Sequence, residues 1–371
     1  MLNFKYRLFP TKKQQTILSQ TLNECRWLYN HFLEQRKNFW ERERKSLDYH
    51  SQAVSIVKLK QERESLATVH SQVLQNIAMR VDLAFKAFFR RVKAGEKPGY
   101  PRFKSIGNYD SITYPQKGFE ITDNGLKLSK IGTVKIKLHR QPEGKIKTCT
   151  IRKSATGKWY VSFSCEVLPK PLPISDKAIG IDVGLTSFAT FSDGSKIENP
   201  RFFRKEEKTL VKVQRKLSKA EKGTLERKNK RKIVAKVHER ISNKRSNFTH
   251  QETRKIVNQY GIICIEDLSV NKMVHNHCLS KSIHDAAWSQ FAQYLSYKAE
   301  SADRKLIRVN PAYTSQTCNA CGHREVKKLS DRVHNCSCCG ISIDRDHNAS
   351  LNILRLGTQS FGFAIEAPSY L

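Results

Sequence analysis

The sequence predicts an α/β protein that carries additional all-α and all-β lobes, and three observations lead there. Apolar residues recur at helical spacing between positions 11 and 93, then alternate with a period of two between 111 and 167. From 177 onward, short apolar strands are separated by long helical stretches, the pattern of a sheet built with crossover helices. The 371 residues suffice for two or three separate cores.

In chain order, Leu2, Phe4, Tyr6 and Leu8 alternate as a strand that Pro10 stops. Thr11 and Gln14 have capping-box spacing, and Ile17, Leu18, Leu22, Cys25, Leu28, Tyr29 and Phe32 form one helical stripe. A second helix is expected around 51–64 and a third from Ser71 to Val92, so 11–93 reads as a small helical bundle. Residues 94–108 are rich in Gly, Pro and basic side chains and read as a linker. Six strands follow at 111–115, 118–122, 125–128, 132–138, 146–153 and 158–167, enough for a small antiparallel barrel. After the proline-rich 169–175 come a strand–turn–strand over 177–194 and a basic helical pair over 204–257. A buried strand at 261–265, a helix at 284–304, a strand at 305–309 and a last helix near 347–356 complete the order. Trp288 is expected in the core.

Charge narrows the function. There are 67 Lys+Arg against 34 Asp+Glu, a formal +33. Such an excess repels itself unless a polyanion cancels it, and nucleic acid does so with release of counterions. Residues 201–260 alone hold 20 Lys+Arg and 6 Asp+Glu. The basic residues are spread along the whole chain rather than gathered on one amphipathic helix, which disfavours a membrane surface as partner. No apolar run approaches the roughly 18 residues of a membrane span. MLNFKYRLFP lacks the apolar stretch of a secretory signal.

Three carboxylates stand where phosphodiester chemistry needs them. Asp182 lies in the apolar strand Ile179–Gly184, where burying a charge is costly without a partner such as a metal ion. The flanking glycines are expected to leave room for a phosphate backbone. Glu266 ends the apolar strand that begins at Ile262. The third acid is Asp346 or Asp344 at the start of the last helix, and spacing alone does not choose between them. Asp267 should point to the opposite face of its strand from Glu266. Mg²⁺ prefers carboxylate oxygen, and two ions about 4 Å apart can activate water and stabilise the leaving oxygen with no nucleophilic side chain.

Ten cysteines are present, and Cys318, Cys321, Cys336, Cys338 and Cys339 fall within 22 residues. The others, Cys25, Cys149, Cys165, Cys264 and Cys278, sit singly, which fits a reducing cytoplasm rather than a disulfide framework. Cys318-x2-Cys321 and Cys336-x2-Cys339 have zinc-ribbon spacing, with Gly322 and Gly340 after each knuckle. Pairing Cys336 with Cys338 would leave a single residue between ligands. Four thiolates close the coordination sphere, so one structural Zn²⁺ is expected, with His323 and His334 left to solvent or phosphate. Candidate nucleic-acid contacts are Lys104, Tyr114, Gln116, Arg215, Lys216, Arg227, Arg231, Arg240 and Arg245, with Gln72 and Gln75 as readers of duplex DNA.

These residues, in this order, resemble the TnpB (OrfB) family of insertion-sequence proteins. The likeness runs through YRLFPTKKQ, SQVLQNIAMRVDLAFKAFFRR, GYPRFKS, GIDVG, HERISNKRSNFTHQ, IEDLSV, VNPAYTSQTCNACG and DRDHNASLNIL. The family is similar to the nucleases of type V CRISPR effectors. The resemblance implies an RNase H-like (RuvC) mixed sheet with an inserted zinc ribbon, an N-terminal helical bundle and a small antiparallel barrel. It implies a first wedge-barrel strand at 1–10, a helical recognition lobe at 11–93 and the wedge barrel at 94–170. A nuclease core with the basic helical pair would occupy 171–310, the zinc ribbon 311–343, a final RuvC segment 344–358 and a flexible tail 359–371. Its acids fall on Asp182, Glu266 and Asp346, holding two Mg²⁺. The implied activity is RNA-guided cleavage of double-stranded DNA beside a short adjacent motif, with guide RNA from the transposon end, in the bacterial cytoplasm and at the nucleoid when on DNA. A DNA-binding regulator without cleavage, or a transposase without guide, are the other readings. Ser350 stands where the family usually has alanine.

Overall fold

A computed structural model describes residues 1–359 apart from 274, 276, 329 and 330, and the side chains of 271, 272 and 277–279 are likewise outside the described set. The expected tail beyond Gln359 therefore lies outside the described residues, as does the side chain of Cys278. The chain forms two compact units, Met1–Val167 and Leu168–Leu371.

In the first unit, β1 (Leu2–Phe9) leads into α1 (Lys12–Glu43), α2 (Tyr49–Glu62) and α3 (Ser71–Lys93). The capping box that starts α1 is complete: Gln14 N donates to Thr11 Oγ1 at 3.3 Å and Thr11 N to Gln14 Oε1 at 3.0 Å. Six more strands follow: β2 (Ser111–Tyr114), β3 (Phe119–Thr122), β4 (Gly125–Leu128), β5 (Gly132–Lys137), β6 (Lys145–Lys153) and β7 (Trp159–Glu166). They form one antiparallel sheet in the order β2-β6-β7-β1-β5-β4-β3, so the first strand of the chain becomes its centre. The sheet curls until Phe119 on one edge packs 6.3 Å from Phe163 of β7. Tyr114 on the other edge donates its hydroxyl to Ser129 O at 3.1 Å. Among the described residues no backbone ladder joins β2 to β3, so the barrel is nearly closed rather than closed. Phe4, Tyr6 and Leu8 share one core with the apolar stripes of α1 and α3.

The second unit is a five-stranded mixed sheet with the order β10-β9-β8-β11-β12. Its strands are β8 (Ala178–Asp182), β9 (Ser187–Phe191), β10 (Lys196–Glu198), β11 (Ile262–Glu266) and β12 (Lys305–Val309). The first three are antiparallel neighbours, while β11 runs parallel to both β8 and β12. Between β10 and β11 stand α4 (Phe202–Ser218) and α5 (Leu225–Gln259); between β11 and β12 stand α6 (Val270–Met273), α7 (His277–Ala286) and α8 (Trp288–Ser301). One sheet face packs Ile181 and Ile265 with Phe188, Val257, Phe291 and Leu295, and buries Trp288 as expected. The other receives α9 (Arg345–Gln359), and here an expectation is corrected. A Cβ on Gly180 would collide with Ser350 O and the Leu354 backbone of α9. That glycine makes room for a helix, not for a phosphate. The helix expected at 284–304 is also corrected: Ala287, at φ 56°, ends α7 and starts α8. No Gly, Pro or Asn marks that break in the sequence.

Candidate active site and four-cysteine metal centre

Strand register assembles the acids. β8 and β11 pair Ile181 with Ile265, so Asp182 and Glu266 sit side by side one residue later. Side chains alternate along a strand, so both acids turn away from the face that buries Ile181 and Ile265 and share the face of Gly180 and Cys264. That face is covered by α9, whose Gly357 approaches the Cys264 thiol and whose first turn carries Asp346. Asp346 Oδ2 lies 3.9 Å from the position of a Cβ on Gly184, just past the end of β8.

The electrostatics agree with this convergence. The Asp182 carboxyl is raised well above the usual carboxylate range by burial, then by the negative charges of Glu266 and Asp346, with Arg345 offsetting part of that. Glu266 is raised by burial, and the Thr314 hydroxyl, donating to its Oε1 at 2.5 Å, works against the rise. All three acids keep part of their surface open. Arg345 Nη2 lies 3.3 Å from Asp346 Oδ1. Asp344 is engaged elsewhere. Its Oδ1 accepts the N–H groups of Asp346 and His347, both at 3.0 Å, and its Oδ2 pairs with Lys196 at 2.8 Å. Burial alone would raise its carboxyl, but Lys196 and those N–H groups hold it below the usual range. Asp267 faces away and pairs with Arg308 at 3.1 Å.

Sequence reasoning missed the residues that tie this site to the cysteine segment. Asn352 Nδ2 donates to Thr314 O and Thr317 O, and Asn348 both donates to Thr317 O and accepts from Asn319 N. Both asparagines are buried on α9 four residues apart. Two amides at that spacing inside an otherwise apolar helical stripe are the signal that could have found them.

The cysteines form a finished cage. Among the described residues, Cys318, Cys321, Cys336 and Cys339 are the one set of three or more His, Cys, Asp or Glu whose ligand atoms all lie within 4.8 Å of one another. Cys318 Sγ is 3.7 Å from Cys339 Sγ, and Cys321 Sγ is 3.5 Å from Cys336 Sγ. A tetrahedron of sulfurs about 2.3 Å from a central ion has edges of about 3.8 Å, so the set fits a metal. The two knuckles repeat one backbone pattern: Gly322 N donates to Cys318 O and Gly340 N to Cys336 O, at 2.9 and 3.0 Å. Both glycines take the left-handed φ that this turn requires, +76° and +73°. The backbone N–H of Cys339 leads in holding the Cys336 thiol down to about 6. Cys338 stays exposed outside the cage. The expectation for His334 is corrected: it is fully buried in β13 (Val333–Asn335), which pairs with β14 (Ser342–Asp344), and neither ring nitrogen has a partner. His323 is exposed.

The candidate nucleic-acid contacts divide. Gln75, Gln116, Arg215, Lys216 and Arg231 are exposed. Gln72 Oε1 accepts from Lys117 N at 2.9 Å, and Lys104 packs its ammonium 5.7 Å from the Tyr29 ring centre. Tyr114 is a correction, because it is 1 % exposed and belongs to the barrel core. Arg227 caps the end of α4 through Leu217 O and Ala220 O. Arg245 pairs with buried Asp285 at 3.0 Å and Arg240 with Glu206 at 3.2 Å. Each of these three arginines thus has an intramolecular partner, and Arg240 is exposed as well.

Known proteins resemble the chain along most of its length. A family described as "Probable transposase" matches residues 162–277, and one described as "Cas12f1-like, TNB domain" matches 288–353. A "Helix-turn-helix domain" family matches 1–45, a stretch that here holds β1 and the single long helix α1. A protein of Streptomyces pristinaespiralis named "Putative RNA-guided DNA endonuclease" is 35 % identical over 362 residues, covering 95 % of this chain and 89 % of its own. The similarly named InsQ of Escherichia coli K12 is 30 % identical, covering 95 % and 92 %. The solved complex of Cas12f1 with sgRNA and target DNA covers 95 % of this chain and 98 % of its own at 16 % identity, but its TM-score of 0.38 lends no weight to the comparison. No described helix is long and apolar enough to cross a membrane. With relatives this similar over nearly its whole length, the chain is a member of the TnpB (OrfB) family of insertion-sequence proteins.

Proposed function

We infer that this chain is an RNA-guided DNA endonuclease of a transposable element, cutting by metal-assisted phosphodiester hydrolysis at a RuvC-type site. The observation that carries it is the convergence of Asp182, Glu266 and Asp346, from β8, β11 and α9, in a chain whose relatives carry that name over nine-tenths of their shared length. A buried carboxyl raised by two neighbouring negative charges is a position that a divalent cation relieves. Three carboxylates brought together from separate elements can share two Mg²⁺ ions about 4 Å apart. Asp182, Glu266 and Asp346 would hold them, and when bound they supply Lewis acidity and an activated water. The protein's own part is to fix the three carboxylates: Thr314 orients Glu266, Arg345 steadies Asp346, and Asp344 caps α9. Cys318, Cys321, Cys336 and Cys339 would hold one structural Zn²⁺.

The strand order of the second unit, with three antiparallel strands followed by two parallel ones, supports reading it as an RNase H-like core. In the same reading, the curled sheet and helices of the first unit serve as wedge and recognition lobe for guide RNA from the transposon end and for the DNA beside the adjacent motif. Protein purified with its co-purifying RNA should cut matched double-stranded DNA in Mg²⁺ and leave unmatched DNA whole. Asp182→Ala should abolish cutting while RNA and DNA binding persist. Full cutting by that variant would sink the site, and binding without any cutting by the wild type would instead make the chain a guided DNA-binding regulator.

A further inference from the structure

One residue before Thr314, whose hydroxyl holds Glu266, the chain exposes an aromatic ring. Tyr313 is 51 % exposed and sits in the left-handed region, at φ 68°. A bulky side chain is strained there, and such strain persists only where the surroundings fix the backbone. They do so here: the Tyr313 carbonyl accepts from Gln316 N and Thr317 N, both at 3.0 Å. The Arg324 guanidinium lies over the ring, 3.1 Å from its centre. The first cysteine knuckle sets Arg324 in that place. Cys318 N donates to His323 O at 2.8 Å, and Thr317 and Arg324 pair across the base of the knuckle as an antiparallel bridge. Arg324 Nε also donates to Gln316 Oε1 at 3.3 Å. Both members of the stack are exposed, and an exposed cation–π pair adds little to stability, so stability does not account for the strained ring.

Taking the nuclease reading as its premise, we propose that Tyr313 and Arg324 form a stacking platform for one unpaired nucleobase of the DNA strand being cut. Three features select that occupant. The first is place. Thr314 touches Glu266 and is tied by its carbonyl to Asn352 of α9, the helix that covers the face shared by the three acids. Consecutive Cα atoms are only about 3.8 Å apart, so the ring is carried by the backbone that carries the Glu266 contact. The second is chemistry. A tyrosine ring backed by a guanidinium offers its exposed surface to the flat face of a base, and the cation attracts the adjoining phosphate. Bases inside a duplex are already stacked on each other, so the occupant is an unpaired one. The third is tolerance. Stacking reads no sequence, which suits an enzyme whose target is chosen by pairing with a guide. Holding that base would keep the nearby phosphodiester at the carboxylates, so the pair positions the strand and takes no part in the chemistry.

The test uses the full chain with its co-purified RNA. In the Asp182→Ala protein, matched DNA carrying 5-iodouracil at successive positions around the cut should photocross-link to Tyr313 from one position on the cut strand. Tyr313→Asn removes the ring and tolerates the same backbone conformation. It should slow cutting by about tenfold, the worth of one stacked base, without lowering the melting temperature. The acid limb of its pH–rate profile should stay in place, because Glu266 keeps Thr314. Tyr313→Phe keeps the ring and should cut as the wild type does. Wild-type cutting by Tyr313→Asn, or no cross-link to Tyr313 from any position, overturns the platform alone. A slowing that Tyr313→Phe shares, or that comes with a shifted acid limb, overturns it too, because the effect would then run through the hydroxyl or through Glu266. If the wild type leaves matched DNA whole, the nuclease reading falls and the platform falls with it.

Discussion

Thr314 donates its hydroxyl to Glu266 Oε1 at 2.5 Å, and the Thr314 carbonyl is itself held by Asn352 of α9 at 2.9 Å. One threonine thus connects a strand-end carboxylate to the helix that carries Asp346. A hydroxyl donating to a carboxylate favours its charged form, so removing it raises the Glu266 carboxyl further than burial already does. In Thr314→Val, the acid limb of the Mg²⁺-dependent cutting profile should move to higher pH. The rate at neutral pH should fall by about tenfold, on the scale of one charge-assisted hydrogen bond. An unmoved acid limb in a pH–rate series would assign Thr314 to loop packing alone.

The neighbouring acids of α9 should separate cleanly. Asp344 caps the helix and pairs with Lys196, whereas Asp346 faces the Asp182 cluster. Asp346→Asn should abolish cutting with little change in melting temperature. Asp344→Ala should keep most of the cutting and lower stability by about 1 kcal/mol, the usual worth of a cap. Paired thermal melts and cleavage assays decide, and the reverse pattern would exchange the two roles.

Gly180 gives a test of packing. A side chain there meets the Ser350 and Leu354 backbone, which cannot swing aside as a flexible side chain would. Gly180→Ala should cost about 2–3 kcal/mol in chemical unfolding, near the upper range for forcing atoms into a filled core. Gly184→Ala, whose Cβ would come no closer than 3.0 Å to Ser187 O, should cost less.

Much of the fold is written in local pattern. Leu2 to Leu8 alternate, Thr11 and Gln14 cap, and Cys318 to Cys339 hold ligand spacing, because each of these is decided within a few residues of chain. What escaped the sequence depends on distant neighbours. Gly180 serves a helix that begins more than 160 residues later, and Ala287 breaks a helix through a backbone conformation that alanine does not advertise. Tyr114 reads in the sequence as a candidate phosphate or base contact, yet the curl of the sheet turns it inward. Arg227, Arg240 and Arg245 carry the charge expected of phosphate contacts, but only the fold reveals carbonyls and carboxylates waiting for them. Asp182 and Glu266 draw notice because each closes an apolar strand, whereas Asp346, between Arg345 and His347, is separated from Asp344 only by the family resemblance.

The thiols predict their own metal stoichiometry. Cys336→Ser removes a corner of the cage, whereas Cys338→Ser alters an exposed thiol outside it. Metal analysis of purified protein should find one Zn²⁺ in the wild type and in Cys338→Ser, and well under one in Cys336→Ser. Because Asn348 and Asn352 tie the segment at Thr314–Asn319 to α9, loss of the metal should also weaken cutting. Zinc retained at full occupancy in Cys336→Ser would reject the ligand set.

Lys298 predicts an alkaline signature in stability. Its ammonium is almost wholly enclosed and donates to His250 O and Thr253 Oγ1, each at 2.7 Å. Burial, with a smaller push from Arg254, lowers it to about 8, against about 10.4 for a lysine in an unfolded chain. Between those values the unfolded chain binds more protons than the folded one, so stability rises with pH through that window. Lys298→Met keeps the stem's volume and removes the titrating group. In urea melts from pH 7 to pH 10, the wild type should show a rising contribution above about pH 8 that the variant lacks. Parallel profiles for the two proteins would mean that Lys298 stays charged in the folded state, with its two acceptors and nearby water carrying the full cost of its burial.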